Sequence, residues 1–76
     1  MKNFKNELYE IKIREVIDPC WAERFSGMEI IIGTHEDQQC TLLTGVISDQ
    51  SSLLGFLNLL QNLNLTLISV SKIAQY

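Results

Sequence analysis

A long stretch without charged side chains dominates the C-terminal half of this chain. Residues 50–71 contain no charged residue over 22 positions, although Asn, Gln and Ser interrupt the apolar ones. Those interruptions leave no apolar run of about 18 residues, so the stretch does not predict a transmembrane helix. A solvated surface helix normally carries charges on its outer face. The stretch therefore predicts either an element that docks on another surface or a helix whose outer face is solvated by Gln50, Asn58, Gln61 and Asn62.

The composition fits one small globular domain. The chain has 76 residues, of which 46% are hydrophobic and 20% charged, and this balance argues against disorder. A chain of this size buries only about 60% of its extended surface and cannot support a second core. We expect a flexible tail over residues 1–8 and a single domain over residues 9–76, which association would stabilise.

The charge distribution excludes several partners. The net charge is −3, and Lys72 is the only charged residue after Asp49. Without a basic patch, neither nucleic acid nor an anionic membrane is expected to bind. The N-terminus has no apolar segment typical of a signal peptide, which predicts a cytoplasmic protein. In that compartment Cys20 and Cys40 are expected to be reduced thiols.

Hydrophobic periodicity predicts six elements in the order strand, helix, strand, strand, helix, strand. Asp18-Pro19 and Ser48-Asp49 mark the two helix starts, because the Asp and Ser oxygens can accept hydrogen bonds from the first turn and Pro19 suits a position whose amide would be unpaired anyway. The first two elements are a strand over 9–16 and a short helix over 19–25. Two strands follow, over 28–34 and 40–47, and a polar turn joins them. A helix of about 14 residues then ends at residues 62–64, and a last strand covers residues 65–72.

This order predicts an α+β fold, a four-stranded antiparallel sheet with both helices on one face, in the ferredoxin-like split βαβ arrangement (β-α-β-β-α-β). Tyr9, Ile11 and Ile13 should enter the core from the first strand. Trp21 and Phe25, four residues apart, should be its aromatic anchors. The apolar stripe of the long helix comprises Leu53, Phe56, Leu57, Leu60 and Leu63, whereas Leu54 and Leu59 lie off it.

The sheet face away from the helices is expected to mix charged and aliphatic side chains. Its predicted members are Glu10, Lys12, Arg14, Glu29, Ile31, Leu67 and Ser69. The third strand fits either alternation, since Leu42/Thr44/Val46 and Leu43/Gly45/Ile47 are both largely apolar. Exposed aliphatic residues on such a face predict contact with a partner or a ligand.

The only histidine lies beside two carboxylates. His35 with Glu36 and Asp37 suggests a metal ligand or a general base, but consecutive residues of a turn point in different directions. A zinc set of Cys20, His35 and Cys40 lacks the closely spaced ligand pair of recognisable zinc sites. A solvated turn and two packed thiols explain these residues, and we expect no metal site.

Two helix starts also suggest chemistry. Cys20 follows Asp18 in a first turn, which together with His35 suggests a Cys-His-Asp nucleophilic set, but Trp21 favours a packed helix start instead. The polar run Asp49-Gln50-Ser51-Ser52 at the second helix start can cap the free amides of the first turn, or that helix end can hold a small anion. We expect no catalytic residues and no cofactor.

Several short motifs resemble a family of small bacterial proteins of unknown activity. They are Tyr9-Glu-Ile-x-Ile13, Asp18-Pro-x-Trp21, Phe25, Thr34-His-Glu-Asp37, Thr41-Leu-Leu-Thr-Gly45, Asp49-Gln50, Leu53-x-Gly55, Leu57 and Leu67-Ile-Ser-Val70. The resemblance covers residues 9–73 and implies a compact α/β unit in a bacterial cytoplasm, without an activity. The chain departs from it at residues 62–65, where the family pattern implies a Gly-Leu-Pro-like helix exit.

Two functional hypotheses follow. The first is a non-enzymatic interaction or regulatory module, a homodimer or a subunit that binds a protein partner. Its candidate surface comprises Ile31, Leu54, Leu59, Leu67 and Ser69. The second is a small-molecule-binding domain or cofactor-free enzyme of the dimeric ferredoxin-like type. Arg14 and His35 would then be the polar groups of a pocket between sheet and helices.

Overall fold

The computed structural model describes residues 7–25 and 28–75, with side chains described up to residue 73. The strands are β1 (Glu7–Ile13), β2 (Glu29–His35), β3 (Gln38–Ile47) and β4 (Leu67–Gln75). A 3-10 helix, Pro19–Phe25, lies between β1 and β2, and α1 (Gln50–Asn62) lies between β3 and β4. The strands form one antiparallel sheet in the order β2-β3-β1-β4. The α+β class with a four-stranded antiparallel sheet and two helices is thereby confirmed.

Strand β1 lies inside the sheet and alternates as predicted. Ile11 and Ile13 are fully buried, whereas Arg14 is exposed. The strand begins at Glu7, within the predicted tail, and the rest of that tail, residues 1–6, lies outside the described residues. It ends three residues before the predicted Val16, because the chain turns toward β3. Thr41 Oγ1 donates to the Glu15 carbonyl at 2.6 Å, and so holds this turn.

The first helix begins as predicted but does not bury both aromatic anchors. Asp18 Oδ1 accepts from the Cys20 amide at 2.9 Å, and the Asp18 carbonyl accepts from the Trp21 amide. Phe25 is fully buried, but Trp21 is 36% exposed, so the prediction of Trp21 as a core anchor is wrong. In a 3-10 helix residues three apart align, so residues four apart are offset and do not enter the core side by side as they would in an α-helix. Trp21 instead lies over Phe25, with the Arg24 guanidinium 5.4 Å from its ring centre.

The hairpin between β2 and β3 is tighter than predicted. Its turn contains only Glu36 and Asp37, with φ values of 52° and 67°, which is the left-handed pair that two-residue hairpins favour. In β3 the side chains of Leu43 and Ile47 are buried and Val46 is exposed. The alternation that the sequence left open is therefore settled, with Leu43, Gly45 and Ile47 on the helix side.

Helix α1 has specific hydrogen bonds at both ends. Asp49 Oδ1 accepts from the Ser52 amide at 2.7 Å. At the other end the Asn64 and Leu65 amides donate to the carbonyls of Gln61 and Leu60, both at 3.0 Å. Asn64 has a φ of 61°, so it occupies the left-handed position that glycine usually takes in such a Schellman motif. This explains how the chain leaves α1 without a glycine.

The core lies between the sheet and the two helices. Phe25 of the 3-10 helix meets Phe56 of α1 edge to face, with ring centres 5.8 Å apart, so both helices lie on the same side of the sheet. The buried cluster comprises Ile11, Ile13, Ile17, Phe25, Met28, Leu43, Phe56 and Leu60. Leu59, a predicted member of the contact surface, is half-buried and packs against this cluster. Among the described residues, β4 contributes nothing to the cluster.

A candidate contact surface beside strand β4

Strand β4 is an edge of the sheet that neither helix covers. Of its described side chains, residues 67–73, all are exposed except Ile68, which is half-buried. Three of them are large and aliphatic, Leu67, Val70 and Ile73, with 46%, 36% and 52% of their surface exposed. A soluble domain rarely leaves so many aliphatic side chains on one strand in water. This strand is therefore the centre of the candidate site.

The register of β4 places Leu67 on the helix side of the sheet. Leu67 pairs with Ile13, and Val70 pairs with Ile11, and both partners point into the core. Paired residues of neighbouring strands share a face. The prediction that Leu67 lies on the open face is wrong, because an irregularity between Lys12 and Ile13 shifts the register by one residue. Ser69, which pairs with Lys12, does lie on the open face.

A shallow groove separates α1 from β4. Its volume is about 280 Å³, and its lining side chains are uncharged. They are Leu57, Asn58, Leu60, Gln61, Leu65 and Leu67. Leu54, which is 53% exposed, lies three and four residues before Leu57 and Asn58 and so continues their side of the helix. We call the groove, together with Leu54 and residues 67–71 of β4, the uncharged flank.

The one charged residue of β4 already has a partner. Lys72 Nζ lies 3.4 Å from Glu7 Oε2. The Tyr9 hydroxyl donates to the other oxygen of that carboxylate at 3.0 Å. Burial raises the pKa of Tyr9, and the hydrogen bond to Glu7 and the negative charge of Glu7 raise it further. The phenol therefore stays protonated and can donate. The flank is therefore bordered by an ion pair and not by a free ammonium group.

The open face of the sheet is less suited to apolar contact. Ile31 is 42% exposed there and pairs with Leu42, as expected from the sequence. However, Glu10 and Lys12 lie on this face along β1, inside the sheet. Ile31 lies on β2 and Ser69 on β4, the two opposite edges. The predicted contact residues thus divide between two surfaces, with Leu54 and Leu67 on the flank and Ile31 and Ser69 on the open face.

Arg14 and His35, the predicted polar pair, line one hollow of about 310 Å³ at the end of β1. The other lining residues are Glu36, Gln38, Gln39, Cys40, Leu67 and Ile68, and none of these belongs to a helix. The expected position between sheet and helices is therefore wrong. His35 Nδ1 lies 3.4 Å from Lys12 Nζ and accepts from it when the ring is neutral, which leaves the proton on Nε2.

The surroundings of Cys20 do not activate its thiol. Cys20 lies in the 3-10 helix, and its hydrogen bond with Asp18, then partial burial and the Asp18 charge, raise the pKa of the thiol. Cys40 is buried in β3. Within residues 7–25 and 28–75, no three His, Cys, Asp or Glu side chains gather as a metal site requires. In the same part of the chain no helix has the length and apolarity to cross a membrane.

No sequence pattern indicated that the Glu15 carboxylate has a structural role. Glu15 accepts from the Thr66 amide through Oε1 and from the Thr66 hydroxyl through Oε2, both at 2.7 Å. Burial raises the pKa of Glu15, but the hydrogen bonds from Thr66 and the neighbouring Arg14 charge outweigh it, so the net pKa is lowered. The Arg14 amide also donates to the Thr66 carbonyl at 2.9 Å. These bonds fix the start of β4 against the end of β1.

Comparisons with known proteins give a family without an activity. A sequence model of the family described as "Domain of unknown function (DUF8691)" matches residues 8–71 of the chain. None of the curated proteins matches it, and none of the solved structures does. The matched region contains all of β1 to α1 except Glu7, as well as the first five residues of β4.

Proposed function

We infer that this chain, which belongs to the DUF8691 family of domains of unknown function, works as a small interaction module that binds a protein, either a second copy or a different partner. The observation that carries this proposal is the exposure of β4 on both sides of the sheet. Its exposed aliphatic side chains have no charged neighbour on the strand except Lys72, which is paired with Glu7.

The apolar area at β4 is large enough to contribute to binding. Full burial of one aliphatic side chain is worth about 1.5–3 kcal/mol, and Leu67, Val70 and Ile73 are one-third to one-half exposed. Their burial would therefore supply roughly 3 kcal/mol for each copy. Association costs about 4–15 kcal/mol in lost freedom, so these side chains alone do not suffice. The groove and the backbone groups of the strand edge would have to contribute as well.

The test compares substitutions at Leu67 and at Ile31, whose side chains have similar exposed fractions. Leu67→Glu places a charge in the uncharged flank, and Ile31→Glu places one on the open face. Solution mass would be measured by light scattering across a roughly hundredfold range of concentration. We expect Leu67→Glu to weaken association at least tenfold, because burial of an unpaired charge is costly, and Ile31→Glu to leave it unchanged. If Ile31→Glu weakens association and Leu67→Glu does not, the contact lies on the open face instead.

A second candidate function is the binding of a small anion in the hollow at the end of β1. Arg14 and His35 line it together, and Lys12 contacts the histidine ring. Thermal unfolding would be followed with inorganic phosphate, acetate or citrate as probes. Stabilisation that disappears in Arg14→Gln and persists in Arg24→Gln would support this function, because Arg24 lies over Trp21, away from the hollow. No stabilisation by any probe counts against it.

We also propose finer assignments of fold and origin. The ferredoxin-like split βαβ arrangement is supported by the central positions of β1 and β3 and by the helix in each of the two β-to-β crossovers. Its first helix is a seven-residue 3-10 helix. The resemblance of the motifs supports a bacterial origin, and the free thiols of Cys20 and Cys40 support a cytoplasmic location.

A further inference from the structure

We propose that the partner is a second copy of this chain, and that the two β4 strands pair antiparallel about a two-fold axis at Val70, which joins the two four-stranded sheets into one. This inference rests on the proposed function, since it specifies the partner and the geometry of contact at the same surface. Edge strands present a row of unpaired backbone groups that a second strand can satisfy.

The side-chain pattern of β4 is self-complementary about Val70. In an antiparallel pair the sum of the two paired residue numbers is constant, so an axis at residue 70 places each residue opposite its mirror position. Leu67 then lies opposite Ile73 of the other copy, and Val70 lies opposite its own counterpart. These are the three large aliphatic residues that β4 exposes. An axis at Ser71 would place all three opposite polar residues, and an axis at Ser69 would place Leu67 opposite Ser71.

The charges are compatible with this pairing. Residues 67–71 are uncharged, and an axis at Val70 places Lys72 opposite Ile68 and away from its own counterpart. The chain as a whole carries a net charge of −3, to which residues 67–71 contribute nothing. The uncharged edge is therefore the side on which two copies approach with the least repulsion.

The local geometry of β4 provides a regular central segment. Two register irregularities against β1 flank it, between Leu8 and Tyr9 and between Lys12 and Ile13. Between them Ser69 to Lys72 pair in sequence with Lys12 to Tyr9. The opposite edge, β2, is shorter and carries Glu29 and His35 at its two ends. Regular pairing and neutral side chains therefore coincide from Ser69 to Ser71, the segment centred on Val70.

The experiment uses the pairing of Ser69 with Ser71 that the axis predicts. In the double variant Ser69→Glu, Ser71→Glu, each new carboxylate faces another one across the interface. In the double variant Ser69→Glu, Ser71→Lys, each faces an opposite charge instead. Within one chain Ser69 pairs with Lys12 and Ser71 with Glu10, so the second variant also suits its own sheet. Both serines are exposed, and circular dichroism would verify that both variants fold.

The solution mass of the full chain gives the readout. We expect a wild-type dimer, a dissociation constant at least about tenfold higher for the Glu/Glu variant, and one within about threefold of wild type for the Glu/Lys variant. High salt should reduce the loss in the Glu/Glu variant, because it screens like charges. If Leu67→Glu disrupts the dimer but neither double variant affects it, the proposal of strand pairing is refuted. The proposal of an interaction module would still stand. A wild-type monomer at every concentration would refute the second copy as partner.

Discussion

Replacement of Glu15 tests how strongly β4 is held to the rest of the sheet. The Glu15 carboxylate accepts two hydrogen bonds from Thr66, each at 2.7 Å. A hydrogen bond to a charged group is worth about 1.5–3 kcal/mol when it is well buried. Thr66 is exposed and Glu15 half-buried, so solvent reduces this value. We expect Glu15→Gln to lower the free energy of unfolding by about 1 kcal/mol, or the melting temperature by roughly 4–8 °C.

A double-mutant cycle with Thr66→Val separates the contact from its surroundings. Thr66→Val removes the hydroxyl donor and keeps the backbone amide, so the two changes should be coupled by about 0.5–1 kcal/mol. Urea denaturation of the four proteins gives the coupling directly. Glu23→Gln, an exposed carboxylate on the 3-10 helix, is the control and should have little effect. A coupling energy indistinguishable from zero would show that the Glu15–Thr66 contact does not stabilise the protein.

The pH dependence gives an independent test of the same contact. The folded pKa of Glu15 is below that of an unfolded glutamate, about 4.3, so its stabilisation is complete above that pH and is lost as the pH falls through the folded pKa. The difference in stability between wild type and Glu15→Gln should therefore shrink in acid. A difference that stays constant between neutral and acidic pH would mean that the ionised carboxylate is not responsible.

Three further predictions follow from other parts of the fold. Leu60→Ala should cost about 2–5 kcal/mol in urea denaturation, because Leu60 is almost fully buried between α1 and the sheet, whereas Leu54→Ala should cost under about 0.5 kcal/mol. Asn64→Ala should be less stable than Asn64→Gly by about 1 kcal/mol, because a φ of 61° disfavours a side chain that makes no local hydrogen bond. Equal stabilities of the two variants would show that the left-handed conformation does not limit the choice of residue at this helix end. Cys20 should react slowly with iodoacetamide near neutral pH, because its raised pKa keeps the thiol protonated. Asp18→Asn should accelerate the reaction. An unchanged rate would mean that Asp18 does not raise the pKa of the thiol.

Local sequence signals predicted most of the fold. Alternation in β1, the caps at Asp18 and Asp49, and the helical stripe through Phe56 and Leu60 each depend on residues within one or two turns. The hydrophobic period and the capping chemistry are local properties, and a single sequence therefore suffices to identify them. Element boundaries were less accurate, as the strand that starts at Glu7 illustrates.

The candidate site was predicted less well, for two physical reasons. A one-residue irregularity in β4 reverses the faces of the residues beyond it, and no local pattern indicated that shift at Leu67. The contact between Glu15 and Thr66 joins residues 51 positions apart, so sequence spacing gave no indication of it. The neutral stretch did indicate the region of the candidate surface, since it contains α1 and residues 67–71 of β4.

The position of β4 after the other three strands in the sequence has a consequence for biosynthesis. Strands β1, β2 and β3 are adjacent in the sheet and lie within residues 7–47, so they can associate before the rest of the chain is made. Until β4 is synthesised, however, β1 is an open edge, and Thr66 is not present to bind Glu15. Premature release of the chain would therefore expose Ile11 and Ile13 beside an unpaired strand. Such unfinished chains should be the aggregation-prone form of this protein, recognisable to the chaperones that bind nascent polypeptides.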